Sequence, residues 1–102
     1  MSLSGKVALI TGGSRGIGFA TAKIMSENGA TVIITGKDSE RLAKSVLKIS
    51  NSIGIVADIR KTDEVKNVVS KTIEKFGKLD ILVNNAGIFP KIKQLHEIDE
   101  DE

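Results

Sequence analysis

The sequence contains no cysteine, no tryptophan and no tyrosine, and it has a single histidine and a single proline. Without cysteine there is no disulfide framework, no thiolate metal site and no cysteine nucleophile. One histidine, His96, cannot build a histidine-rich metal site, so no metal ligands are assigned. Aromatics are scarce, with three phenylalanines against fourteen isoleucines, so branched aliphatics rather than rings fill the core. Long hydrophobic runs are also missing. The first apolar run, residues 7–10, is far too short for a membrane span or a signal-peptide core, and a soluble cytoplasmic protein is the expectation. With 102 residues, 40% hydrophobic and 27% charged, the chain suits one domain with one modest core.

The net charge of +2 conceals an uneven distribution. Residues 97–102 hold five of the thirteen acids, so the rest of the chain carries fifteen bases against eight acids. A body that basic suits an anionic ligand, either a nucleotide phosphate or a nucleic acid. Lysines along amphipathic helices also form an ordinary solvated face. No aromatic platform or basic cluster accompanies the charge, which argues against nucleic acid.

What the chain does have is a regular alternation. Residues 6–11 form a continuous apolar run ending in glycines, the pattern of a strand buried on both faces. A glycine-rich turn leads into a helix over residues 16–28, with Ile17, Ala20, Ile24 and Met25 at helical spacing and Asn28-Gly29 as its stop. Residues 31–35 are a second β-branched run closed by Gly36. Asp38 then caps a helix reaching residue 49, with Leu42, Val46 and Ile49 on one face. Residues 53–57 give a third strand, and Thr62 caps a third helix with Asp63 and Glu64 in its first turn. Val65, Val69, Thr72 and Phe76 share a stripe of that helix, Gly77 ends it, and residues 79–83 form a fourth strand running into Asn84-Asn85-Ala86-Gly87. Alternating buried strands and amphipathic helices imply an α/β fold with a parallel sheet and right-handed crossovers.

The chemistry concentrates at the strand ends. The first strand-to-helix turn reads Thr11-Gly-Gly-Ser-Arg-Gly-Ile-Gly18, with glycines at 12, 16 and 18. Glycines allow the backbone to approach a pyrophosphate closely, and the following helix N-terminus presents free N–H groups and a partial positive charge. Its position directly between a buried strand and a helix gives the turn this meaning. No Gly-Lys-Ser or Gly-Lys-Thr closes it, which excludes a kinase-type phosphate loop.

The glycine turn, together with Asn84-Asn85-Ala86-Gly87 after the fourth strand, resembles the short-chain dehydrogenase/reductase family over residues 5–87. The resemblance implies a Rossmann-type three-layer α/β/α fold, a partial parallel sheet of strand order 3-2-1-4, and NAD(P)(H)-dependent transfer of hydride to or from a carbonyl or secondary alcohol. It further implies that Gly12, Gly16 and Gly18 form the pyrophosphate turn, with Ser14 and Arg15 at its rim and Ile17 toward the nicotinamide. Asp58 and Ile59 match the pair that faces the adenine, and Asn85, Ala86 and Gly87 would pass beside a ribose. A carboxylate at the end of the second strand normally takes the adenosine ribose hydroxyls and repels a 2′-phosphate. Here that position is Gly36, followed by Lys37, with Arg15 able to point at the same spot, so NADP(H) is favoured over NAD(H).

Family members act through a tyrosine with a lysine four residues on and a preceding serine, the lysine lowering the tyrosine pKa. This chain has no tyrosine. Ser70 and Lys71 read as the solvated face of the third helix, and His96 as an incidental polar residue, so no catalytic residue is assigned. Residues 1–90 therefore read as the cofactor-binding half of a Rossmann domain and residues 91–102 as an acidic tail or the start of a further helix. Leu95 and Ile98, at helical spacing, favour a chain that stops within a domain. A non-catalytic NADP(H)-binding module, or one subunit of a split enzyme, is the alternative reading. The apolar residues 81–83 would then lie at an open sheet edge, a place for self-association.

Overall fold

Four runs of β-branched and aliphatic residues form the strands, and the first three are each followed by a chain reversal at the same end of the sheet. In the computed structural model, which describes residues 2–14 and 16–85, the order is β1 (Val7–Thr11), α1 (Gly16–Glu27), β2 (Thr31–Gly36), α2 (Ser39–Leu47), β3 (Ser52–Val56), α3 (Thr62–Phe76) and β4 (Ile81–Asn84). All pairings are parallel, and the strand order is β3-β2-β1-β4, as the sequence pattern and the resemblance led us to expect. All five residues of β1 are buried, which accounts for the unbroken apolar character of that run.

Alternate residues of the strands feed two cores. Ala8, Ile10, Val32 and Ile34 pack with Ala22 of α1 and Leu42 of α2 on one face. Val7, Leu9 and Ile33 pack with Val68 of α3 on the other, joined by the half-buried Val69 and Phe76. The sheet is thus the middle layer, with α1 and α2 on one side and α3 opposite. The carboxyl ends of the strands are level, with Thr11 beside Asn84 and Gly36 beside Val56.

Two expectations about the helices change. The face of α1 turned to the sheet is made of Gly18, Ala22 and Ser26, not of the large aliphatic residues. Ile17 and Ile24 are 77% and 59% exposed, Ala20 is exposed, and of the four residues expected inside only Met25 packs on the core. Small side chains let the helix axis approach the strands closely, and Ser26 Oγ reaches across to donate to the Ser50 carbonyl. The cap of α3 also moves: Lys61 is the N-cap, without a side-chain hydrogen bond, and Thr62 is the first helical residue. Asp38 does cap α2, accepting from the backbone N–H groups of Glu40 and Arg41, and Gly77 ends α3 in the left-handed conformation at φ 82°.

The fourth strand begins two residues later than its apolar pattern, at Ile81, and Asp80 supplies the reason. Its backbone N–H donates to the Val7 carbonyl at 2.9 Å, while its carboxylate accepts the Val7 N–H at 2.8 Å. A side chain thus takes the place that a β4 carbonyl would fill in a regular ladder. Lys78 Nζ lies 3.2 Å from the same carboxylate. The Val7 N–H, with help from Lys78, holds the Asp80 carboxyl below its ordinary value of 3.8. A carboxyl whose pKa is depressed by folding stabilises the fold above the unfolded value and loses that contribution as pH falls through the folded value. Asp80→Asn is therefore expected to lower the melting temperature by a few degrees at pH 7. The gap to the parent should close in melts recorded progressively below pH 3.8.

Candidate dinucleotide-binding site

The level strand ends open onto a cleft of about 540 Å³ lined by Gly12, Ser14, Gly36, Lys37, Asp58, Ile59 and Asn85, together with five further residues. Such a crevice at the carboxyl ends of parallel strands, where the order reverses between β1 and β4, is the general ligand position of open α/β sheets. Seven of the residues singled out from the sequence thus meet in one place. Gly16 and Ile17 are exposed at the start of α1 and Gly18 is buried beneath them. Arg15, Ala86 and Gly87, like His96 and residues 91–102, lie outside the described residues.

Two buried threonines position the walls. Thr11, last in β1, has its hydroxyl 3.1 Å from Asn84 Oδ1 and accepts the Asn85 N–H at 3.2 Å. Thr35 in β2 accepts the Gly12 N–H on its hydroxyl at 3.3 Å, and its carbonyl accepts the Gly13 N–H at 3.2 Å. The glycine turn is therefore fastened to both neighbouring strands. Gly12 and Gly16 adopt φ of 67° and 62°, where L side chains are strained. Gly18 is required for another reason: a Cβ there would overlap the Gly12 carbonyl oxygen. From the helical side, Ser45 Oγ donates to the Ser14 carbonyl at 2.7 Å, tying α2 to the same turn.

Charge at the rim is arranged by local hydrogen bonds. Asp38 Oδ1 accepts the N–H groups of Glu40 and Arg41 at 3.0 and 3.1 Å, and the bond from Arg41 is the chief reason its carboxyl lies below the ordinary range. Asp58 receives Arg60 from three directions: the backbone N–H and Nε–H on Oδ1 and Nη2–H on Oδ2, each at 3.0 Å. That pairing holds the Asp58 carboxyl far below the usual carboxylate range. The Asp58 backbone N–H donates to Glu64 Oε1 at 2.7 Å, which orients the turn from the first turn of α3. On the β4 side, Asn85 Nδ2 is buried and has no acceptor among the described residues.

These features fit a phosphorylated nucleotide: a glycine turn at a helix N-terminus, a groove between strand ends, and a buried amide donor awaiting an acceptor. The short chain dehydrogenase family pattern matches residues 6–102. This chain belongs to the short-chain dehydrogenase family. Secoisolariciresinol dehydrogenase of Forsythia intermedia is 51% identical over 89 residues, covering 84% of this chain and 32% of that protein. A short chain dehydrogenase from Burkholderia cenocepacia J2315, solved in complex with NADP, superposes with a TM-score of 0.80 at 50% identity, over 87% of this chain and 38% of that one. The 3-ketoacyl-(acyl-carrier-protein) reductase from Brucella melitensis, complexed with NADH, gives 0.75 at 39% identity, over 79% and 34% respectively. The chain spans about a third of the length of such relatives.

Within this short-chain dehydrogenase site, sequence reasoning did not assign Thr35, Asp38, Arg41, Ala57 and Arg60 to the cleft lining. Arg41 had a readable signal, since it lies one turn into a helix capped directly after the strand end. Arg60 had a fainter one, an arginine two residues beyond a candidate aspartate. Ser70 and Lys71 are exposed on α3, as expected. Among the described residues, no group of three or more acidic or histidine side chains is placed to hold a metal ion, and no helix is long and apolar enough to cross a membrane.

The contact between Gly18 and Gly12 is the tightest constraint in the turn. Gly18→Ala is expected to cost about 1–3 kcal/mol, the usual penalty for overpacking a tight site. A urea denaturation midpoint for the variant equal to that of the parent would contradict this account of the turn.

Proposed function

We propose that this chain is the dinucleotide-binding part of an NAD(P)(H)-dependent short-chain oxidoreductase, that it prefers NADP(H), and that it carries no catalytic serine, tyrosine or lysine of its own. The bound nicotinamide supplies hydride chemistry toward a carbonyl or secondary alcohol. The chain's own residues bind and orient. Gly12, Gly16 and Gly18, with Ser14 and Arg15 at the rim, form the seat for the pyrophosphate, and Ile17 lies toward the nicotinamide. Asp58 and Ile59 take the adenine, and Asn85, Ala86 and Gly87 take a ribose.

The observation that carries the cofactor preference is the engagement of Asp38. In NAD-type sites a carboxylate after the second strand accepts the ribose hydroxyls and excludes a 2′-phosphate. Here the position at the strand end is Gly36, and the carboxylate two residues on, Asp38, turns its Oδ1 to the N–H groups of its own helix. Lys37 and Arg41 are left as cations of the cleft lining that make no ion pair among the described residues. A dianionic 2′-phosphate is the group that such a rim accommodates. Relatives of this chain have been solved with NADP and with NADH, so the family admits both cofactors and the rim makes the choice.

The lack of tyrosine separates binding from turnover. Reduction of a carbonyl by the complete enzyme depends on a proton donor that this sequence does not contain. We also assign self-association to the sheet edge: β4 ends the sheet among the described residues, and Leu82 on it is exposed. An apolar edge with unpaired backbone groups is a template for a further strand. A cytoplasmic location accords with an intracellular reduced cofactor.

Three measurements test this reading. Fluorescence titration should show NADPH binding about tenfold or more tighter than NADH, in line with a charge-assisted phosphate contact, and Lys37→Ala should erase most of the difference. Equal affinities, or a preference for NADH, would overturn the cofactor assignment. With NADPH and a panel of carbonyl compounds, the 102-residue chain should show no oxidation above background, and measurable turnover would reveal a catalytic group outside this account. Sedimentation at micromolar concentration should show dimers or larger species, whereas a monomer that melts cooperatively would remove the edge from the proposal.

A further inference from the structure

Two carboxylates line the cleft, and each is satisfied in a different way. Asp38 turns to its own helix. Asp58 stands directly beside the β2 end, because Ala57 N–H donates to the Gly36 carbonyl at 3.1 Å and the charge of Lys37 acts on the Asp58 carboxylate. Unpaired, that carboxylate would cancel Lys37 and repel an anion at the ribose rim. Arg60 prevents this by gripping both carboxylate oxygens, with Nε on Oδ1 and Nη2 on Oδ2, a fork-shaped pairing that lysine could not reproduce.

We propose that Arg60 is a positioning residue for cofactor selection: by pairing with Asp58 through both oxygens, it neutralises the carboxylate that follows β3 beside the β2 end and keeps the ribose end of the cleft attractive to a 2′-phosphate. The inference rests on the reading of the cleft as an NADP(H) site. It goes beyond that reading by placing part of the selectivity in a side chain that need not touch the phosphate. The Arg60 backbone N–H also donates to Asp58 Oδ1, so the turn fixes the carboxylate before any ligand arrives. Arg60 is 61% exposed and belongs to neither core, so Arg60→Met is expected to leave the core packing unchanged. The same pairing leaves Oδ2 with one hydrogen bond and a remaining lone pair, so the carboxylate can still accept from an amino group on a base.

The test compares Kd values for NADP⁺ and NAD⁺, which differ only by the 2′-phosphate, across the parent, Arg60→Met and the double variant Asp58→Asn/Arg60→Met, by isothermal titration calorimetry. A merely structural role would weaken both ligands together and leave the ratio of the two Kd values unchanged. We expect Arg60→Met to lower the preference for NADP⁺ by about threefold to tenfold, the scale of one uncompensated charge across a solvated rim. The double variant, in which the exposed charge is gone, should return to within about twofold of the parent ratio by the same logic. An unchanged ratio in Arg60→Met would overturn the inference. So would a double variant as impaired as the single one, because Arg60 would then be acting on the phosphate directly. A parent that binds neither dinucleotide would defeat the NADP(H) reading itself, and this inference with it. That outcome differs plainly from a parent that binds both with a ratio indifferent to Arg60.

Discussion

Thr11 is buried at the carboxyl end of the central strand, and its hydroxyl and carbonyl both hold the end of β4. The Asn85 N–H meets both oxygens of this residue, and the next residue begins the glycine turn. Because β1 is covered on both faces and paired along both edges, it has no freedom to shift relative to β2 or β4. The glycine turn, the β2 end and the β4 end are thereby fixed against one reference. A polar side chain at this depth is tolerated only because its hydrogen-bonding capacity is used. Thr35, its counterpart in β2, does the same for the Gly12 N–H. The cleft is the space left at the strand ends that these two hydroxyls help to fix.

Electrostatics builds on that frame with little long-range design. Each carboxylate of the rim is bound by groups no more than three residues away in sequence: Asp38 by the first turn of α2 and Asp58 by Arg60. Local pairings of this kind form whenever the turn forms, so the charge pattern of the site follows from backbone conformation. At the other end of the sheet an aspartate instead reaches across strands, where the Asp80 carboxylate enters the ladder opposite Val7. Aspartate, short enough to bond the nearby backbone, thus serves as a cap, as the core of a turn and as part of a strand pairing.

Much of this was legible in the residues themselves. Aliphatic runs marked buried strands, and glycines 12, 16 and 18 marked the turn. Gly36 and Lys37 marked positions that line the cleft, and Asp38 marked the cap. The misreadings have a common physical origin. In α1, hydropathy pointed to Ile17, Ala20 and Ile24, whereas the sheet requires small residues at Gly18, Ala22 and Ser26, and periodicity cannot distinguish a large residue facing inward from a small one. At α3, a threonine next to two acids looked like a cap, but the chain turns one residue earlier, at Lys61. Arg60 escaped notice because an interaction between residues two apart in a turn leaves no periodic trace. The fold was therefore more legible than the site, since burial repeats along the chain while pairing in turns does not.

The small-residue face of α1 has a consequence for binding. Where a helix rests on a sheet through leucines and isoleucines, the spacing depends on rotamers and can relax. Here Gly18 packs against the Gly12 backbone, so the separation is set by main chain on main chain. The amino end of the helix therefore stands at a fixed distance from the turn, without a side-chain spacer to adjust. For the pyrophosphate seat proposed above, the ordering is thus completed during folding rather than on binding. In that sense α1 is less an amphipathic helix laid on a core than a rigid buttress of the glycine turn.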